Sequence, residues 1–376
     1  MRSGNCTAEE TGGSAVNGHA SGRNVPDGQN PDARSAKPSV NLMEVCGTHT
    51  MSIAKAGIKR ILPENIRLLS GPGCPVCVTP ADVIDQILKL SSRQDIMITT
   101  YGDMFRVPGS ARGDNLARRK ALGAGVEMVY SPVDAIRIAK ENPALQVVFL
   151  GIGFETTAPG TAAAILLAKE EKVMNFSVLS LLKTVEPALR ALMADPDFNV
   201  QGFLCPGHVA TIIGEEGFRY LPEEFRMPAV ISGFEPEDII LSVRNLMRQI
   251  RSGEPRLENE YTRAVAPEGN PNALEIMRKC FEPCDALWRG LGLIPKSGLG
   301  IRKEYGEYDA ARRFDIIFPE QETETACRCG EVIQGKLDPV KCPLFGTACT
   351  PDDPVGPCMV SSEGACAAAF KYGSAE

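Results

Sequence analysis

Between Asn65 and Arg251 one pattern recurs along the chain: a short apolar run, a loop with Gly or Pro, then an amphipathic stretch of helical period. The runs are Ile66-Leu69, Ile96-Thr100, Val126-Tyr130, Val147-Ile152, Phe176-Leu182, Val200-Leu204 and Ala229-Ile231. Short apolar runs bounded by turn residues read as strands buried on both faces, and strands that alternate with helices form parallel sheets. Thr79-Pro80 and Ser131-Pro132 each set a capping hydroxyl ahead of a proline in a first helical turn. After Pro236, the residues Ile239, Ile240, Val243, Leu246, Met247 and Ile250 fall on one helical stripe. The expected class is therefore α/β. Seven strands could form one sheet or two smaller ones, and Gly-rich motifs in both halves favour two small parallel-sheet domains, 64–145 and 146–235, divided near Ala144-Gln146.

Flanking these, the first 36 residues are polar and Gly-rich and are expected to form a disordered tail. From about Arg256 the chain turns to Pro, Gly and charge, with one helix from Asn272 to Cys280 and then a loop holding six cysteines between Cys327 and Cys366. This C-terminal stretch is expected to be mixed and loop-rich. The net charge of −7, with no basic block, argues against nucleic acid or an anionic membrane as partner. No apolar run reaches the roughly 18 residues of a membrane-spanning helix, and the tail lacks the apolar segment of a secretory signal. The expected location is the cytoplasm, where 13 cysteines serve as ligands and reactive thiols rather than as a disulfide framework.

The chemically informative residues follow strands directly. Gly71-Pro72-Gly73-Cys74-Pro75-Val76-Cys77, Tyr101-Gly102-Asp103, Gly153-Phe154-Glu155-Thr156-Thr157 and Cys205-Pro206-Gly207-His208 all stand at expected carboxyl ends, where open parallel sheets bind and react. Cys74 and Cys77 have the spacing of a reversible dithiol, and a helix N-terminus nearby favours a thiolate. Cys46-Gly47-Thr48-His49 puts a thiol and an imidazole three residues apart, both donors that iron accepts; the plainer reading is a buried Cys and a hydrogen-bonded His. Glu155, Thr156 and Thr157 are either cleft-lining residues or helix caps, and His208 is either cleft-lining or a core histidine.

The loop from Cys327 to Cys366 is too rich in Pro and Gly to be held by regular ladders, and thiolates on a metal centre would hold it. Four thiolates bind a cubane iron–sulfur cluster. Cys327 and Cys329 are too close in sequence to share one comfortably, so one of that pair with Cys342, Cys349 and Cys366 makes a spread set. A structural zinc is the rival, but zinc knuckles pair cysteines two to four residues apart and these gaps are wider. No phosphate-binding loop, dinucleotide fingerprint or Ser-His-Asp set is present.

Met43-Glu44-Val45-Cys46-Gly47-Thr48-His49-Thr50-Met51, Leu69 to Cys77, Gly153 to Thr157 and the Cys327–Cys366 loop together resemble the HypD family, factors that help build the Fe(CN)2CO part of [NiFe]-hydrogenase centres. The resemblance runs from about Val40 to Tyr372. It implies two α/β domains of similar fold and a third, mixed and loop-rich, made of residues 37–63 together with 236–376 and holding a [4Fe-4S] cluster, which the family's spacing puts on Cys327, Cys342, Cys349 and Cys366, with Cys329 and Cys358 as near neighbours. It also implies that Cys46 holds the iron that transiently carries CN and CO ligands, shared with a cysteine of the small chaperone HypC. Cyanide would come from HypE, itself charged by HypF. Cys74 and Cys77 would be a redox dithiol coupled to the cluster, with His49, Glu155 and His208 lining the same cleft. The implied protein is a redox-active maturation scaffold rather than a conventional enzyme. The competing expectations are a stand-alone thiol-disulfide oxidoreductase and a zinc-stapled interaction protein.

Overall fold

The strands assemble into two parallel sheets whose membership cuts across chain order. In this computed structural model, which describes residues 39–373, strands Val40–Glu44 (β1), Ile66–Ser70 (β2), Ile96–Thr100 (β3), Val126–Met128 (β4), Gln146–Gly153 (β5), Phe176–Leu182 (β6), Gly202–Pro206 (β7), Ala229–Ser232 (β8) and Leu257–Asn259 (β9) precede a hairpin of Phe281–Trp288 (β10) and Gly292–Ile301 (β11). One sheet has the order β2-β1-β7-β8-β9 and the other β4-β3-β5-β6. Every pairing within these two sheets is parallel. The α/β class expected from the periodicity is the one observed.

All seven expected strands form, but the cut near Ala144-Gln146 does not separate the sheets. β5 starts at Gln146 and pairs with β3 on one side and β6 on the other. Instead the chain builds β1 and β2, crosses to lay down β3 through β6, and returns with β7 beside β1. The second sheet is thus inserted into the first. Nor does the 37–63 segment stand apart with the cysteine loop: it supplies β1, which is paired on both sides. Two polar residues hide this strand from a search for apolar runs. The Asn41 backbone amide donates to Gln201 Oε1 and its Nδ2 to the Asn199 carbonyl, while Oδ1 is buried without a partner among the described residues; Glu44 is held by groups in the turn that follows. The expected tail over residues 1–36 lies outside the described residues.

The caps at Ser131 and Thr79 part company. Ser131 caps the helix Pro132–Glu141 in a reciprocal box with Asp134. The Thr79 hydroxyl turns back instead and donates to the Pro75 carbonyl at 2.9 Å, tightening the turn around Cys77. Arg289, buried at the end of β10, donates Nε and Nη2 to the Thr79 carbonyl at 3.1 and 2.8 Å. Its neighbour Gly290 lies so close to Gly330 that an added Cβ would stand 2.5 Å from the Gly330 Cα. The hairpin turn therefore joins the Cys74–Cys77 turn to the cysteine loop. Among the described residues no helix is long and apolar enough to cross a membrane.

Candidate functional site

The carboxyl end of the five-stranded sheet gathers most of the expected residues. β1 runs into Cys46, which is the N-cap residue of the helix Gly47–Lys55, and β2 runs into the Cys74–Cys77 turn beside it. Gly73 lies against the Cys46 backbone, and the Gly47 amide donates to the Gly73 carbonyl at 3.2 Å. Cys74 and Cys77 are joined by a disulfide, with Cα atoms 5.2 Å apart. The Cys77 amide donates to Cys74 Sγ at 3.1 Å.

Cys46 is buried and its thiol is pushed up to about 12, first by burial and then by the Glu363 carboxylate, with Glu44 adding to it. The first-turn amides of Thr48 and His49 act the other way and favour the charged sulfur. Without a cation the proton stays on; a metal ion would take its place, and the helix amides already favour the anion that would bind it. Glu44 holds this turn in shape. Its carboxylate accepts the Cys46 amide at 3.0 Å and the Thr50 hydroxyl, and burial raises it to about 7.

His49 and His208 meet at the same sheet edge around Phe234, whose ring centroid is 4.7 Å from His49 and 3.9 Å from His208. His49 Nε2 faces the Gly233 carbonyl at 2.9 Å, so Nε2 carries the proton and Nδ1 presents a bare lone pair. Nδ1 is buried with no hydrogen-bond partner among the described residues, and burial lowers the ring to about 4.

Glu155 stands elsewhere, at the carboxyl end of β5 in the other sheet. Its Oε1 accepts the Val185 amide at 2.9 Å, capping the helix Val185–Met193 from a neighbouring turn, while Oε2 is buried without a partner among the described residues. Its described neighbours are Val185, Glu186 and Tyr220 rather than Cys46 or Cys74. Burial raises it from 4.5 to about 7. The folded chain therefore holds this proton more tightly than the unfolded chain does. The stabilisation is complete below about pH 4.5 and disappears as pH rises through 7. Glu155→Gln should remove from the wild-type stability curve a fall on the order of 3 kcal/mol between those limits, seen as a shallower slope of unfolding free energy against pH when urea unfolding is repeated across that range. Parallel slopes in the two proteins would assign the titration to another group.

The six cysteines of the C-terminal loop come together. Cys327, Cys329, Cys342, Cys349 and Cys366 line a void of about 20 Å³, while Cys358 lies behind it, coupled to Cys329 and Cys366. The Val355 amide donates to Cys349 Sγ at 3.3 Å, and Gly356 leaves no room for a side chain beside Cys327 Sγ. The Cys329 thiol and then burial push Cys327 upward. Among the described residues no three Cys, His, Asp or Glu side chains converge as a site for one metal ion. Five thiols thus line one void, Cys329 among them beside the four that the family resemblance assigns, Cys327, Cys342, Cys349 and Cys366.

Several residues at this site carried no sequence signal. Between Cys358 and Cys366 the chain turns through Ser361, Ser362 and Glu363. Ser361 Oγ lies 3.3 Å from Cys74 Sγ, and Ser362 Oγ donates to Asp103 Oδ2 at 2.7 Å. Thr48 Oγ1 donates to Glu363 Oε1 at 3.2 Å, and a Cβ on Gly47 would stand 2.8 Å from the Glu363 carbonyl oxygen. Serines and a glutamate more than 250 residues away in sequence offer no periodicity to read. Glu44 did leave a trace, as an acid at the end of a buried strand two residues before Cys46.

Comparison with known proteins places the chain in a family. The family model described as "Hydrogenase formation hypA family", HypD, matches residues 29–373. The "Hydrogenase maturation factor HypD2" of Bradyrhizobium diazoefficiens is 46% identical over 349 residues, 91% of either chain. The HypD of Rhizobium leguminosarum bv. viciae is 44% identical, with 89% of both chains covered, and that of Escherichia coli is 42% identical, with 90% of both covered. A family match over most of the chain and relatives this similar lead to one conclusion: the chain belongs to the HypD family.

Proposed function

We propose that this protein is a hydrogenase maturation factor, a cytoplasmic scaffold on which iron acquires the cyanide and carbonyl ligands of the Fe(CN)2CO unit. One observation carries the reading: the Ser361–Glu363 turn, inside the six-cysteine loop, touches both the Cys74–Cys77 disulfide and the turn of Cys46. Three groups of sulfur are thereby brought to one sheet edge.

The iron is cargo. Cys46 holds it as thiolate, sharing it with a cysteine of a HypC-type chaperone, while Glu44 and Gly73 fix the turn that presents the sulfur. His49 keeps its proton on Nε2 and offers Nδ1 to a ligand or donor in the cleft. His208 is exposed beside Phe234 at the same edge, while Glu155, raised to about 7 by burial, titrates near neutral pH at the carboxyl end of the other sheet. Cys327, Cys342, Cys349 and Cys366 would hold a [4Fe-4S] cluster, which supplies single electrons when bound. Cys74 takes a hydrogen bond from the Cys77 amide and has the Ser361 hydroxyl 3.3 Å away, so it is the sulfur on which charge is best stabilised when the disulfide opens. Cyanide would arrive from a HypE-type donor.

Anaerobic isolation tests the reading. The chain alone should carry iron and acid-labile sulfide in about equal amounts, and further iron should appear only when it is isolated with the small chaperone. A colourless zinc protein, or an iron content indifferent to the chaperone, would overturn it.

A further inference from the structure

A second cavity, of about 350 Å³, lies between β6, the β10–β11 hairpin and residues 318–320, within the size range of small-molecule sites. Its walls include Leu182, Leu287, Leu299, Ile301 and Phe318, and one buried cation, Lys183. Lys183 is 6% exposed; its Nζ donates to the Leu287 carbonyl at 2.8 Å and lies 5.2 Å from the Trp288 ring centroid. An ammonium has three donors, and a buried one is ordinarily paired with a carboxylate. Here none is paired with it among the described residues. The wall's two aspartates are engaged elsewhere, Asp285 accepting the Lys296 amide at 2.9 Å and Asp309 accepting the Ala311 amide and pairing with Arg312. The wall's third carboxylate, Glu320, is exposed, and the acidic group felt by Lys183 is the Cys284 thiol.

The ammonium is not needed as a strut. The hairpin is already stapled to β6 by the Lys183–Gly298 bridge, by the Thr184 amide to the Ser297 carbonyl at 2.9 Å and by Ser180 Oγ to the Leu299 carbonyl at 2.6 Å. We propose that this cavity binds a small organic monoanion with an apolar body, its carboxylate or equivalent head seated on Lys183 and its body against the leucine walls. Burial lowers Lys183 to about 8, which still leaves it charged at neutral pH and makes an anionic partner favourable. The site is independent of the hydrogenase reading and stands or falls without it.

The chain has one tryptophan, Trp288, beside Lys183, so tryptophan emission reads this neighbourhood alone. The full chain is titrated with octanoate, octanol and octylammonium. Octanoate should give a saturable emission change, with octylammonium at least about tenfold weaker and Lys183→Met weakening octanoate by a similar factor. Leu293→Glu, at an exposed rim position, places an anion at the mouth and should weaken octanoate without threatening the fold. Equal affinity for all three probes, undiminished octanoate binding by both variants, or no saturable change with millimolar octanoate would overturn the proposal.

Discussion

Gly73→Ala is expected to abolish hydrogenase maturation while most of the chain still folds. A Cβ at this position would stand within 2.5 Å of the Cys46 Cα, and its nearest neighbours are all backbone atoms of Val45 and Cys46. A flexible side-chain tip could swing away from such an overlap, but backbone can yield only if the turn moves. Overpacking of this kind costs about 1–3 kcal/mol, and the displacement it forces falls on the contact between the Cys46 and Cys74 turns. Gly57→Ala is the matched control. Gly57 has a φ of +64° but open space around its missing side chain, so its cost should be about 1 kcal/mol of backbone strain, with maturation intact. Calorimetry gives the stabilities, and hydrogenase activity in a strain lacking its own copy gives maturation. A Gly73→Ala chain that matures hydrogenase at the wild-type level would show that close approach of the two turns is dispensable.

Cys46→Ala should reduce the iron retained with the small chaperone from stoichiometric to none, and leave the absorbance of the C-terminal loop's cluster unchanged. The sulfur is the buried donor at a helix N-terminus, and the Glu44 and Thr50 contacts that hold its turn do not depend on it. Alanine there removes a ligand with little loss of structure. Cys205→Ala tests whether any buried thiol at this sheet edge would do. Cys205 ends β7, two strands from β2, and burial alone pushes its thiol upward. Iron counting on both variants separates them: retention in Cys46→Ala would remove Cys46 as the anchor, and loss in Cys205→Ala would implicate a second thiol.

Local rules were enough for the seven apolar runs, since each strand declares itself through a period that needs no knowledge of its neighbours. They were enough, too, for the Ser131 cap and the long helix Pro236–Ser252, with its stripe of Ile239, Val243 and Leu246. They failed for β1, because Asn41 and Glu44 interrupt the apolar pattern and find hydrogen-bond partners only in distant residues or in the turn beyond. They failed likewise for the division of the sheets, because an inserted sheet leaves no mark in the order of strands.

The cysteines and histidines announced their chemistry through spacing alone: a dithiol at Cys74 and Cys77, a thiol and imidazole at Cys46 and His49, a thiol-rich loop near the C-terminus. Which of them stand together was decided by tertiary structure. Parallel pairing of β1 with β2 sets Cys46 beside Cys74, and the Ser361–Glu363 turn from the far end of the chain closes on both turns. The reason is physical: residue type determines what a side chain can bind, whereas distance between side chains depends on strand order and on contacts between segments hundreds of residues apart.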